Sequence, residues 1–106
     1  MTEETKKKIQ KIAQVYGYDA QSRQCIEEMA ELTQAINKFW RKQLKFGEVA
    51  FSKSIPLSPE HMNLKEEIAD VYIMIHQMMY LLGIKSIEKT VNEKLDRQME
   101  GIEKND

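Results

Sequence analysis

One cysteine, two prolines and four glycines are all that this 106-residue chain holds of the residues that cross-link or break a backbone. A single thiol, Cys25, excludes an intrachain disulfide and suits a reducing interior. No paired histidine is evident for it, so a small buried core residue is the expectation. The scarcity of breakers, in a chain rich in Glu, Lys, Gln, Met and Ile, points to helices. Charge of one sign is missing too: 16 Lys and Arg stand against 17 Asp and Glu, for a formal net charge of −1. No global field therefore argues for a nucleic acid polymer or an anionic membrane as partner. No apolar run reaches the ~18–20 residues of a membrane span, and the start, MTEETKKKIQ, has no signal-peptide apolar core. Internal repeats and low-complexity segments are absent. The expectation is one small, soluble, cytoplasmic all-α domain over residues 1–106, with one modest core.

Hydrophobic spacing divides the chain into four helices. The first runs from about Thr2 to Tyr16 through Thr5, Ile9, Ile12 and Ala13, and Gly17 stops it. Asp19 or Ser22 can cap the second, which carries Ile26, Met29, Thr33, Ile36 and Trp40 on one face, with Leu32 and Phe39 beside it, and ends near Lys45. An irregular connection, GEVAFSKSIPLSPEHMN, follows; it is longer than the ~2–8 residues usual between bundle helices. Phe51, Ile55 and Leu57 within it suit a loop packed over the bundle end or a wall for a ligand. The third helix starts by Asn63, where NLKE matches a capping box with Glu66, or earlier at SPE, with Pro59 in the first position. Gly83 ends it, and Ser86 caps a fourth with the apolar row Ile87, Val91, Leu95, Met99 and Ile102. Short first and third connections suggest a four-helix antiparallel bundle.

The third helix holds an anomaly. Val71, Ile75, Met78 and Leu82 share a face, with Ile68, Tyr72 and Met79 beside it and Met74 and Leu81 extending the apolar sector. Glu67 projects inside that sector and Asp70 lies at its edge. First-turn acids suit the helix dipole, at ~0.3–1 kcal/mol each, but Asp70 is too far along the helix for that account. The second helix supplies CIEEMAEL, in which Glu28 and Glu31 are three apart, as are Glu67 and Asp70. Such pairs share one side of a helix. If the two helices pack antiparallel or crossed, Glu28, Glu31, Glu67 and Asp70 can converge. Four carboxylates together repel unless a cation neutralises them, and a hard, oxygen-loving ion, Mg²⁺ above all, fits.

EEMAEL (Glu27–Leu32) followed by EEIADV (Glu66–Val71) resembles the EExxE…ExxD signature of the MazG-like all-α nucleoside triphosphate pyrophosphohydrolases. The resemblance continues through AINKFWRK (Ala35–Lys42) and VNEKLDR (Val91–Arg97), two thirds of the chain in all. It implies Mg²⁺ ligands at Glu28, Glu31, Glu67 and Asp70, with Glu27 nearby to hold a second metal or orient the attacking water, and Glu27 or Glu28 as the candidate catalytic base. It also implies that Lys94 and Arg97 face the substrate phosphates; Thr90, Lys94 and Arg97 form a stripe flanking the fourth helix's apolar row. Lys38 follows Glu31 by about two turns on one side, within reach of phosphate or simply solvated. Trp40 and Phe51 are possible base contacts, with core packing the plainer reading of Trp40. The segment between the two acidic motifs is longer than in compact family members, so the base pocket is where the likeness is weakest.

The implied reaction is Mg²⁺-dependent hydrolysis of a (deoxy)nucleoside triphosphate to monophosphate and pyrophosphate. The alternatives are phosphoribosyl-ATP pyrophosphohydrolase, from the same superfamily, and a non-catalytic helical interaction module. A ferritin-like di-iron bundle needs Glu-x-x-His pairs, and neither His61 nor His76 has a Glu three residues before it. The apolar girth of the third helix exceeds what three short neighbours cover, so a homodimer or homotetramer is expected, as the resemblance also implies.

Overall fold

The structure, a computed structural model, describes residues 1–46 and 58–105. They form three helices and no strand: α1 (Glu3–Phe46), α2 (Pro59–Leu81) and α3 (Glu88–Asn105). The chain is therefore all-α, as its composition indicated. No helix among the described residues is long and apolar enough to cross a membrane.

α1 spans both of the first two expected helices. At Gly17 the backbone adopts φ 81° and ψ 170°, a region essentially closed to side-chain-bearing residues. Gly17 thus acts as a sharp bend between two helical arms. Thr2 Oγ1 accepts from the Thr5 amide at 3.1 Å to cap the first arm. Ser22 Oγ donates back to the Asp19 carbonyl at 3.0 Å, and both residues are helical within the second arm.

α2 begins at Pro59, taking up the end of the segment expected to be irregular. Its cap is Ser58, whose Oγ accepts from the His61 amide at 3.1 Å. Asn63 is consequently an interior helical residue, and its expected reciprocal capping of Glu66 does not occur. Gly83, at φ 71°, closes the helix, with the Ile84 amide donating to the Met79 carbonyl at 2.8 Å. Ser86 Oγ accepts from the Glu88 amide at 3.2 Å at the entry to α3. Phe51, Ile55 and Leu57, and with them the reading of that connection as lid or wall, lie outside the described residues.

α1 and α2 run antiparallel, as three cross-links show: Gln14 to Tyr80 (2.6 Å), Gln21 to Gln77 (2.7 Å) and Lys42 to Glu60 (2.7 Å). Partner numbers fall as α1 numbers rise. The seam buries Ile9, Ala13, Cys25, Ala35 and Phe39 from α1 against Val71 and Met74 from α2. Cys25 is a core residue, as expected. Gln77, 2 % exposed, and Gln21 satisfy each other inside this seam. A slip of one helix past the other strands two buried amides, each at about 1–3 kcal/mol, so the pair pins the register.

The other apolar rows are open. Ile26, Met29, Ile36 and Trp40 on α1 are exposed, as are Ile68, Tyr72 and Ile75 on α2 and Leu82 just past its end. Two helices in contact bury one stripe each, and these sequences carry two. Among the described residues α3 packs against neither α1 nor α2, and its row from Ile87 to Ile102 is exposed throughout. The described residues therefore do not form a four-helix bundle. The radius of gyration, 17.3 Å, exceeds the ~13 Å of a compact domain this size.

Candidate metal centre

Seam positions on α1 beyond the bend recur as Gln21, Cys25, Glu28, Leu32, Ala35 and Phe39, all buried or half-buried. On α2 they recur as Leu64, Glu67, Val71, Met74, Met78 and Leu81. Alternating steps of three and four residues are the signature of two helices sharing a core. Glu28 and Glu67 each occupy a position that the pattern otherwise gives to an apolar or amide side chain. The antiparallel register then sets Glu31 beside them.

Carboxylate oxygens of Glu28, Glu31 and Glu67 lie within 4.8 Å of one another. Glu28 Oε1 accepts from Gln24 Nε2 at 2.8 Å, one turn back on the same helix. Glu28 Oε2 and Glu67 Oε2 are buried and have no hydrogen-bond partner. Glu31 is exposed, yet the charges of Glu28 and then Glu67 raise its carboxyl above the usual range, with lost hydration third. Asp70 sits outside the three-acid group; partial loss of hydration first, then Glu28 and Glu66, raises its carboxyl too. These acids repel one another, and no described salt bridge involves any of them.

Orphaned buried oxygens, mutual repulsion and an all-carboxylate donor set suit a hard divalent cation. The residues present fit Mg²⁺, and nothing in the donor set distinguishes Mg²⁺ from another ion of that kind.

The remaining sequence candidates are scattered. Glu27 is exposed and outside the three-acid group. Lys38 lines a separate cleft with Ala35, Pro59, Glu60 and Asn63. Trp40 is 59 % exposed, and nine residues past Glu31 it projects to the opposite side of the helix, about 180° away. It is neither core nor beside the acids. Lys94 and Arg97 are on the unpacked α3, away from the acids. Gln24 was missed, although its i, i+4 spacing to Glu28 signals a carboxylate-holding amide. The Lys42–Glu60 ion pair was missed because the two residues meet only across the seam.

No family model matches the chain, and no curated protein or solved structure matches it either.

Proposed function

We propose that the chain is a Mg²⁺-dependent pyrophosphohydrolase that cleaves a (deoxy)nucleoside triphosphate to monophosphate and pyrophosphate, as MazG-like proteins do. One observation carries the reading: two glutamates interrupt the core seam of an antiparallel helix pair and leave buried oxygens unpartnered beside a third acid. Burying unpaired carboxylates costs several kcal/mol, and a metal-binding role explains why such positions hold acids.

Glu28, Glu31 and Glu67 would hold the ion, with Asp70 completing the set. A bound divalent cation supplies charge for the phosphate oxygens and lowers the pKa of water. Gln24 holds Glu28 through Oε1, leaving the buried Oε2 without a hydrogen bond. Glu27, exposed one residue from Glu28, is free to orient water or accept its proton.

The functional unit in this proposal is a homo-oligomer. The second apolar rows of α1 and α2 face solvent together, and pairing two copies through them yields a four-helix core. α3, which packs against no other helix among the described residues, then has apolar surface to cover, and Lys94 and Arg97 on its flank become available to the phosphates. A stable monomer at micromolar concentration by light scattering would count against this assembly.

The reaction is tested with a panel of ribo- and deoxynucleoside triphosphates, with and without Mg²⁺, assaying pyrophosphate and orthophosphate separately. Mg²⁺-dependent pyrophosphate release, lost in Glu67→Gln, is the expected result. Release of neither product from any nucleotide refutes it, and phosphoribosyl-ATP is then the next substrate to assay.

A further inference from the structure

Beside the acids, between α1 and the first turns of α2, lies a cleft of about 460 Å³ lined by Ala35, Lys38, Pro59, Glu60 and Asn63. Its volume falls within the ~300–1,000 Å³ range of small-molecule sites. It lies on the same helix faces as the acids. Asn63 precedes Glu67 by one turn, ~6 Å along α2, and Ala35 follows Glu31 by one turn on α1. A ribose ring bridges that separation.

The wall chemistry is unusual for a plain groove. Because Ser58 caps α2, the Asn63 amide is left exposed, and it forms no hydrogen bond among the described residues. Lys38 is likewise exposed, without an ion pair among the described residues. Glu60 is held by Lys42 at 2.7 Å, and that hydrogen bond keeps its carboxyl below the usual range. A carboxylate has about four acceptor sites; Lys42 Nζ takes one, and the Glu60 backbone amide and the Ser58 hydroxyl also bear on it. Ala35, 3 % exposed, is the small apolar residue of the lining.

We propose that this cleft reads the base of the nucleotide whose phosphates the acids serve, and that it selects cytosine or guanine over uracil, thymine and adenine. The inference rests on the function proposed above and names its substrate class. Glu60 only accepts, so it calls for an exocyclic amino group. Lys38 only donates, so it calls for a carbonyl. Asn63 does either and meets the ring nitrogen between. Cytosine and guanine carry an amino group at one end of the Watson–Crick edge and a carbonyl at the other. Uracil and thymine set a carbonyl against Glu60, and adenine gives Lys38 no acceptor.

The test is calorimetric binding of CMP, GMP, AMP and UMP to the full chain, which needs no turnover, alongside the hydrolysis panel. CMP or GMP should bind at least about tenfold tighter than UMP and AMP, the discrimination of one good bidentate base contact. Lys38→Met should weaken CMP and GMP while sparing AMP. Asn63→Ala should weaken the selected bases most and flatten the ranking. Both positions are exposed, and circular dichroism confirms that the variants fold. Equal binding of all four, no binding at millimolar concentration, or a ranking unchanged in both variants overturns the cleft assignment. Selective binding without hydrolysis of any triphosphate overturns the reaction and leaves the cleft standing.

Discussion

Replacing Glu67 by glutamine should make the metal-free protein more stable and the Mg²⁺-loaded protein comparatively less so. Oxygens of Glu67 and Glu28 come within 4.8 Å of each other. Two unit charges at that separation repel by roughly 3.5 kcal/mol at an effective dielectric of ~20, and by roughly 0.9 kcal/mol in bulk water. The site is half-buried and open on the Glu31 side, and salt screens it further, so a gain of about 1–2 kcal/mol is expected without metal. The new amide can also donate to Glu28 or Glu31, which adds to the gain. At ~4–8 °C per kcal/mol for a domain of this size, the melting temperature should rise by about 4–16 °C in EDTA. Mg²⁺ at a hundredfold over its Kd stabilises a protein that binds it by about 2.7 kcal/mol, and the variant forfeits most of this. Thermal unfolding followed at 222 nm in EDTA and in saturating Mg²⁺ should therefore show the two proteins exchanging rank. A wild-type melting temperature indifferent to Mg²⁺, together with a variant no more stable in EDTA, would refute the reasoning.

Further outcomes follow from other contacts in the structure. Glu31 and Asp70 have raised carboxyls, so the folded state holds protons that the unfolded state has released; metal-free stability should fall as pH rises from the ordinary carboxylate value through the raised ones, and Mg²⁺ affinity should climb across that window. Urea titrations with and without Mg²⁺ from pH 4 to 7 read both. Glu60, with its lowered carboxyl, works in the opposite sense, contributing stability above the ordinary carboxylate value that is lost as pH falls through the lowered one. Gln77→Leu strands the buried Gln21 amide and should cost about 1–3 kcal/mol in urea unfolding, whereas Gln21→Leu combined with Gln77→Leu should recover much of that loss. Gly17→Ala meets no atom within 4 Å, so its cost is backbone strain alone, about 1–3 kcal/mol; an unchanged melting temperature would mean that the bend relaxes to accept a side chain.

Much of the helical content was legible in one dimension, since local signals specify it. The arm from Thr2 to Tyr16, the end near Lys45, and the stops and starts at Gly83 and Ser86 were all read from spacing and cap chemistry. The start of α2 was read as two competing capping patterns, one at Asn63 and one at Ser58. The structure uses Ser58 with Pro59, whose fixed φ already suits a first helical position.

The buried face of α2 was largely legible, since Glu67, Val71, Met74 and Met78 fall in its expected apolar sector, but that of α1 was not. α1 and α2 each carry two apolar stripes, and a projection ranks the stripe from Ile26 to Trp40 above the one containing Glu28. Packing inverts that order, because the seam is the stripe whose buried amides, Gln21 and Gln77, find each other. The same distinction holds for the site. The sequence by itself determined an all-α chain and placed acids in pairs three residues apart, since helical periodicity follows from local backbone geometry. Only the tertiary structure decided that Glu28, Glu31 and Glu67 meet, that Trp40, Lys94 and Arg97 stand apart from them, and that Lys38 and Asn63 line a cleft. Those relations depend on the register between helices distant in the chain, which no local pattern encodes.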